Sequence, residues 1–271
     1  DNYHGKLGKV FIDPSMKGIA LPLQENTSSS GYGVLPKGSR ISIEEGKKIR
    51  AFTYWEKVND IDLSVIGICA DGKQEEFSWR TMWNNQSSAI TYSGDETSGY
   101  NGGSEYFDID VKSFKSLHPE VKYLVFCNNV FSNGTFKDCI CRAGYMIRDE
   151  IDSGEIYEPK TVKTSFTVDC DSTFAYLFAI DLENRDFIWL NVARDSKARV
   201  AGDTLLGFLD SYFNTTSIMN MEKFFSIMAT EVVENYDEAE VVVSDSNLQT
   251  QHEQELIRSY DFERITQLMN T

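Results

Sequence analysis

The sequence predicts a mainly β protein, a β-sandwich of two sheets followed by a smaller α-rich segment. Three observations predict this fold class. Short β-branched and aromatic runs recur from residue 49 to residue 191, separated by turn sequences. Phe and Tyr, which favour strands, are abundant at 17 and 13 copies. After residue 191, the apolar residues recur at helical spacing instead.

Residues 1–47 are predicted to be an extended lead-in with a first strand at 17–23. One helix is predicted at 112–117, where Asp110 can cap the first turn and Pro119 ends it. Ten strands are predicted in the β-rich section, at residues 50–55, 62–69, 75–79, 89–93, 105–111, 123–128, 138–147, 162–168, 174–181 and 186–191.

The C-terminal section has helical patterns at 203–213, 219–233 and 251–269, with a β-branched run at 240–244 between the last two. The predicted organisation is therefore a β-sandwich domain over residues 1–191, including the lead-in, and an α-rich annex over residues 192–271. The apolar stripes of the annex are interpreted as its packing faces against the sandwich.

Charge and composition narrow the functional classes. The formal net charge of −16 and the sequence pI of about 4.6 disfavour nucleic acid as a partner, because phosphate backbones repel such a chain. No apolar run reaches the length of a membrane span and no leader pattern is visible, so we expect a cytoplasmic protein without direct membrane insertion. The five Cys residues lack zinc-finger spacing and are expected to be reduced thiols.

The sequence does not favour an enzyme. Its three histidines, His4, His118 and His252, are scattered, and neither a phosphate-binding glycine loop nor a dinucleotide-binding fingerprint occurs. A hydrolase that uses Asp60 and Asp95 as an acid–base pair is a distant alternative.

Oxygen donors are the most informative feature. Asp60 and Asp62 are two residues apart at the entrance of a predicted strand, so their side chains emerge on one face. The loop at 93–105 is dense in oxygen donors and contains four glycines. Calcium takes six to eight oxygens, and the predicted ligands are Asp60, Asp62, Asp95, Asn101 and Glu105. On these residues alone, the alternative is an acidic hairpin loop with solvated carboxylates.

These segments resemble the TerD family of tellurium-resistance proteins. Asp60-Ile-Asp62-Leu-Ser64 is similar to that family's Asp-Leu-Asp-Leu-Ser element. Asn85-Gln86, Ser93-Gly94-Asp95 and the stretch from Gly99 to Glu105 are similar, in order and distance, to its Asn-Gln pair and its acidic glycine-rich loop. The resemblance covers residues 17–191 and is that of a longer, divergent branch.

The resemblance implies a cytoplasmic, non-catalytic, calcium-binding stress-response module that acts with other proteins, within a larger complex near the membrane. It carries over Asp60, Asp62, Asp95 and Glu105 as ligands, with Asn101 in place of an acidic loop residue. Gly103-Ser104 stand where the family has Asp-Asp, so one Ca²⁺ site is expected rather than two. The alternative is a metal-free scaffold that presents an aromatic surface including Tyr100 and Tyr106.

Overall fold

The fold is mainly β and comprises two compact units. A computed structural model describes residues 5–21, 35–82, 89–156, 162–194, 207, 209–211 and 219–271. One unit covers residues 42–208, and the other combines residues 1–41 with residues 209–271.

The regular elements are numbered along the chain. The strands are β1 Leu7–Ile12, β2 Arg40–Ser42, β3 Lys48–Glu56, β4 Ile61–Cys69, β5 Gln74–Phe77, β6 Ile90–Tyr92, β7 Gly103–Ile109, β8 Val121–Val130, β9 Ile140–Arg148, β10 Val162–Thr167, β11 Phe174–Asp181, β12 Asp186–Arg194, β13 Ala229–Val233, β14 Val241–Val243 and β15 Glu255–Ile257. The α-helices are α1 Trp79–Met82, α2 Val111–Leu117, α3 Met221–Met228 and α4 Phe262–Met269.

Two sheets make up the unit at 42–208. Their strand orders are β10-β9-β3-β7-β6 and β2-β12-β11-β8-β4-β5, and β2 contains the boundary between the two units. All ten strands predicted for this section are present, with ends that differ by a few residues. The predicted helix is α2, and the Asp110 carboxylate caps it by accepting a bond from the Ser113 N–H at 3.2 Å.

Side chains of the two sheets contact each other. The Asn128 Nδ2 on β8 donates to the Thr53 Oγ1 on β3 at 2.7 Å, and both residues are fully buried. The rings of Tyr145 on β9 and Phe187 on β12 have centroids 5.0 Å apart. The two sheets therefore contact each other through buried side chains.

A buried ion pair lies within the five-stranded sheet. Arg50 on β3 and Asp108 on β7 are register partners, and both side chains are completely buried. The guanidinium donates to both carboxylate oxygens at 2.7 Å and lies 3.8 Å from the Tyr106 ring centroid. Tyr106 is itself 6% exposed and donates to the Asp152 carboxylate. The prediction that Tyr106 belongs to an exposed aromatic surface is therefore wrong.

The second unit contains a parallel sheet in the order β13-β1-β14-β15. Val10 of β1 pairs with Val232 on one side and Val241 on the other. Helices α3 and α4 contribute Phe225 and Ile265 to a core cluster that also contains Val10. The unit thus has the composition of an α/β structure.

Three predictions made from the sequence differ from the observed structure of this unit. The strand predicted at 17–23 is replaced, where the structure describes it, by the 3₁₀ helix Pro14–Gly18 and an extended exit. Among its described residues, the α-rich annex contains the strands β13, β14 and β15 as well as the helices α3 and α4, and residues 207 and 209–211 are also helical. The lead-in groups with the C-terminal residues because β1 pairs with β13 and β14, which lie more than two hundred residues later. The helix predicted at 203–213 lies largely outside the described residues.

All five cysteines are free, as predicted. Cys69, Cys127 and Cys141 are buried, and the other two are partly buried. Among the described residues, no helix combines the length and the apolarity needed to cross a membrane.

Candidate metal centre

Three loops meet at one end of the unit at 42–208. The segment after β3 is joined to the glycine-rich loop by two backbone bonds, from the Lys57 N–H to the Tyr100 carbonyl and from the Gly99 N–H to the Asn59 carbonyl, both 2.8 Å. The segment after β8 joins them, because the Phe131 N–H donates to the Asp60 carbonyl at 3.2 Å. These bonds place donors that are distant in sequence at one location.

The meeting point holds a cluster of three carboxylates. Asp60, Asp62 and Asp95 each present an oxygen within 4.8 Å of the other two. Asp60 is 7% exposed, Asp62 is partly buried and Asp95 is exposed, so the cluster runs from the interior to the surface. The structure thus brings together three of the five predicted ligands.

Asp60 is the most unusual member of the cluster. Its Oδ1 is buried and has no hydrogen-bond partner among the residues that the structure describes. Burial, and after it the negative charges of Asp62, Asp95 and Glu96, together raise the pKa of this carboxyl from 3.8 to about 6. A carboxylate in this position is compensated only when a proton or a cation is bound to it.

Asn129 is a polar residue at the cluster that the sequence patterns did not indicate. It lies directly opposite Asp62 in the pairing of β8 with β4, and its Nδ2 donates to the Asp62 Oδ2 at 3.0 Å. The Asn129 Oδ1 is buried and has no hydrogen-bond partner in the described ranges of the chain. An amide oxygen is an acceptable calcium ligand, so Asn129 adds a neutral donor to the three carboxylates.

Glu105 has a different position from the other predicted ligands. It lies on β7, fully buried, and its two oxygens accept bonds from the Leu63 N–H at 2.7 Å and the Glu96 N–H at 3.2 Å. Burial outweighs these bonds and the adjacent Tyr92 hydroxyl, and raises the pKa of Glu105 to about 8. Glu105 therefore joins the start of β4 to the glycine-rich loop and is mostly protonated near pH 7 when no cation is bound.

The glycine-rich loop packs on a buried tryptophan. A Cβ atom on Gly99 or Gly103 would lie 2.6 or 2.4 Å from the Trp55 ring, closer than van der Waals contact permits. Gly102 between them has φ +131°, a conformation that side chains disfavour. Asn101, the remaining predicted ligand, is exposed at the end of the 3₁₀ helix Gly99–Asn101.

Two exposed aromatic side chains flank the cluster. Tyr100 is 56% exposed and Phe131 is 65% exposed, and both line a cleft of about 440 Å³ together with Asp60 and Lys57. A second cleft of about 410 Å³ lies against Asp62 and Asn129. The cluster is thus accessible from solvent through two openings.

No family model, no curated protein and no solved structure matches the chain. The TerD resemblance therefore remains a prediction, carried by the motif residues alone. Of those, Asn85-Gln86 lies outside the residues that the structure describes.

Proposed function

We propose that residues 42–208 form a TerD-like β-sandwich that binds one Ca²⁺ and serves as a non-catalytic stress-response module of the tellurium-resistance type. Asp60 carries the proposal. Within the described part of the chain, its buried carboxylate oxygen lacks a hydrogen-bond partner, although the oxygens of Asp62 and Asp95 lie within 4.8 Å. Burying uncompensated charge is costly, and one divalent cation would compensate all three carboxylates.

The donor set favours calcium over magnesium. Oxygens on opposite sides of one Ca²⁺ are about 4.6 to 5.2 Å apart, given bonds of about 2.3 to 2.6 Å, whereas Mg²⁺ requires about 4.0 to 4.2 Å and regular octahedral geometry. The three carboxylate oxygens lie within 4.8 Å of one another, a limit that either ion satisfies, so the preference for calcium rests on the all-oxygen donor set and on its independence from regular octahedral geometry. With the Asn129 amide oxygen and water, they can supply the irregular oxygen shell that calcium accepts.

The ion would organise an interaction surface. It would cross-link Asp60 and Asp62, which flank the start of β4, to Asp95 in the glycine-rich loop, and thereby fix the exposed Tyr100 and Phe131 beside the cleft. A surface ordered in this way is suited to other proteins, for which exposed aromatic side chains are preferred anchors. The proposed partners are cytoplasmic proteins of a stress complex near the membrane.

Calorimetric titration of Ca²⁺ into the chelator-stripped full chain tests the proposal, with Mg²⁺ as the comparison ion. We expect saturable binding of one Ca²⁺ per chain and its loss in Asp62→Asn. Glu183→Gln, which removes an exposed charge from the same unit, is the matched control and should bind as the wild type does. A flat Ca²⁺ trace for the wild type would contradict the proposal.

The alternative, a metal-free scaffold, is favoured by Glu105. Its carboxyl joins the strand and the glycine-rich loop through the Leu63 and Glu96 N–H groups without an ion. Under this alternative, amide hydrogen exchange in residues 94–102 would be equally slow in chelator and in Ca²⁺. Under the calcium proposal, Ca²⁺ slows that exchange.

A further inference from the structure

A second cluster of metal-ligating side chains lies at the other end of β4 and β8. Glu75, His118 and Glu120 each present a ligand atom within 4.8 Å of the other two. The His118 Nδ1 lies 3.2 Å from a Glu75 carboxylate oxygen. The buried thiol of Cys69 is close enough for the negative charges of Glu120 and Glu75 to act on it.

The backbone holds these side chains in place. Glu75 is in the β4–β5 ladder opposite Gly67, and the Glu120 carbonyl accepts a bond from the Ala70 N–H at 3.2 Å. His118 ends α2, and its carbonyl accepts a bond from the Val121 N–H, which closes a tight turn. The cluster is therefore attached to regular structure on every side.

Aromatic contacts also fix the imidazole ring. The His118 ring stacks on Phe114, with centroids 4.6 Å apart and planes 20° from parallel, and it meets Phe77 edge-on at 5.6 Å. Its side chain is 24% exposed, so the ring stays accessible from solvent. A ring held in one orientation loses little conformational entropy when it binds an ion.

We propose that Glu75, His118 and Glu120 bind a divalent transition-metal ion of the zinc type, with an open position for water. Adjacent ligand atoms around a tetrahedral Zn²⁺ are about 3.3 Å apart, given bonds of about 2.0 to 2.1 Å, and the His118–Glu75 separation is already 3.2 Å. Glu120 is exposed and can close the remaining distance by rotating its side chain. An imidazole nitrogen with carboxylate oxygens is a donor set that zinc accepts, whereas calcium takes oxygens. The proposal does not rest on the calcium site.

Zn²⁺ titration into chelator-stripped protein against a chromogenic chelator tests this proposal, together with Co²⁺ absorption as a report on coordination. We expect one Zn²⁺ per chain in the wild type and in Asp62→Asn. We expect His118→Gln to weaken Zn²⁺ binding by at least about 10-fold, because replacing even a residue that only orients a metal ligand weakens the affinity by that much. Glu120→Gln changes an exposed side chain without threatening the fold and should weaken binding similarly. His252→Gln, which removes another exposed imidazole, is the matched control.

Either of two results would overturn the proposal. The first is an unchanged Zn²⁺ affinity in folded Glu120→Gln and His118→Gln proteins, with folding checked by far-UV circular dichroism. The second is loss of Zn²⁺ binding in Asp62→Asn, which would assign the ion to the three-aspartate cluster. Failure of the calcium titration leaves this test unaffected, since the two sites share no ligand.

Discussion

Asp60→Asn is expected to stabilise the calcium-free protein, although most changes at a binding site destabilise or have no effect. The substitution keeps the size of the side chain and removes a charge that is buried beside Asp62 and Asp95. In Ca²⁺, the same variant should lose its advantage, because it lacks the charge that the ion compensates.

The magnitude follows from the Asp60 pKa. Its rise from 3.8 to about 6 means that the folded state binds the proton more tightly than the unfolded state. The stabilisation that comes from this tighter proton binding is fully present below about pH 4 and is lost as the pH rises through about 6. At about 1.4 kcal/mol for each difference of one in pKa, the ionised carboxylate destabilises the fold by at most about 3 kcal/mol near pH 8. Solvent at the exposed edge of the cluster reduces this value.

Urea unfolding followed by tryptophan fluorescence measures the effect, because all four tryptophans belong to residues 42–208. In chelator near pH 8, Asp60→Asn should exceed the wild type by up to about 3 kcal/mol, and the difference should vanish near pH 4. Calcium at about 100 times its dissociation constant should stabilise only the wild type, by about 2.7 kcal/mol.

Glu183→Gln controls for the loss of one negative charge elsewhere in the unit. If Asp60→Asn is less stable than the wild type in chelator, or gains no more than Glu183→Gln, then Asp60 carries no uncompensated buried charge. In that case, the physical basis for the calcium site is removed.

Two further predictions concern the surroundings of the cluster. Because the pKa of Glu105 is raised to about 8, we expect wild-type protein in chelator to lose stability as the pH rises through about 8. Glu105→Gln should remove part of this loss in unfolding curves measured from about pH 5 to pH 9, and an unchanged pH profile would contradict this assignment. Gly103→Ala places a methyl group against the Trp55 ring and should cost about 1 to 3 kcal/mol with a shift in tryptophan emission. Gly207→Ala, with open space around it and, like Gly103, a φ outside the left-handed region, is the matched control, and equal unfolding free energies for the two variants would contradict the clash with Trp55.

Local patterns were sufficient to predict the strands of residues 42–208. Alternating apolar residues and turn sequences such as Asp71-Gly72 act over a few positions, and Asp110 and Pro119 bound α2 in the same local way. The second unit was predicted less well because its sheet is parallel and its C-terminal strands are short. The pairing of β1 with β13 and β14 joins the two ends of the chain, which no local pattern reports.

The candidate site likewise contains residues that local sequence predicts and residues whose roles depend on the three-dimensional fold. Asp60, Asp62 and Asp95 were predictable because carboxylates dense in a turn mark an oxygen-rich site whatever the pairing of the strands. Asn129 was missed because its position depends on the β4–β8 register, which sets it opposite Asp62. The role of Glu105 depends on its burial. Neighbouring residues on β7 are buried on both faces of the strand, so an alternation of apolar and polar residues could not indicate which side chains are buried there.

The antiparallel pair β4–β8 connects the two proposed sites and keeps them chemically separate. Its ladder runs from Ile61 opposite Val130, beside the three aspartates, to Cys69 opposite Val121, beside His118. Nine residues of strand span about 26 Å, a distance at which substitutions are usually additive. The aspartate cluster offers carboxylate oxygens and the other cluster an imidazole, so calcium and zinc should partition between them by ligand preference. Titration of each ion into the variant of the opposite site therefore measures whether the unit at 42–208 couples the two sites, and affinities equal to those of the wild type in both directions would mean that the sites bind independently.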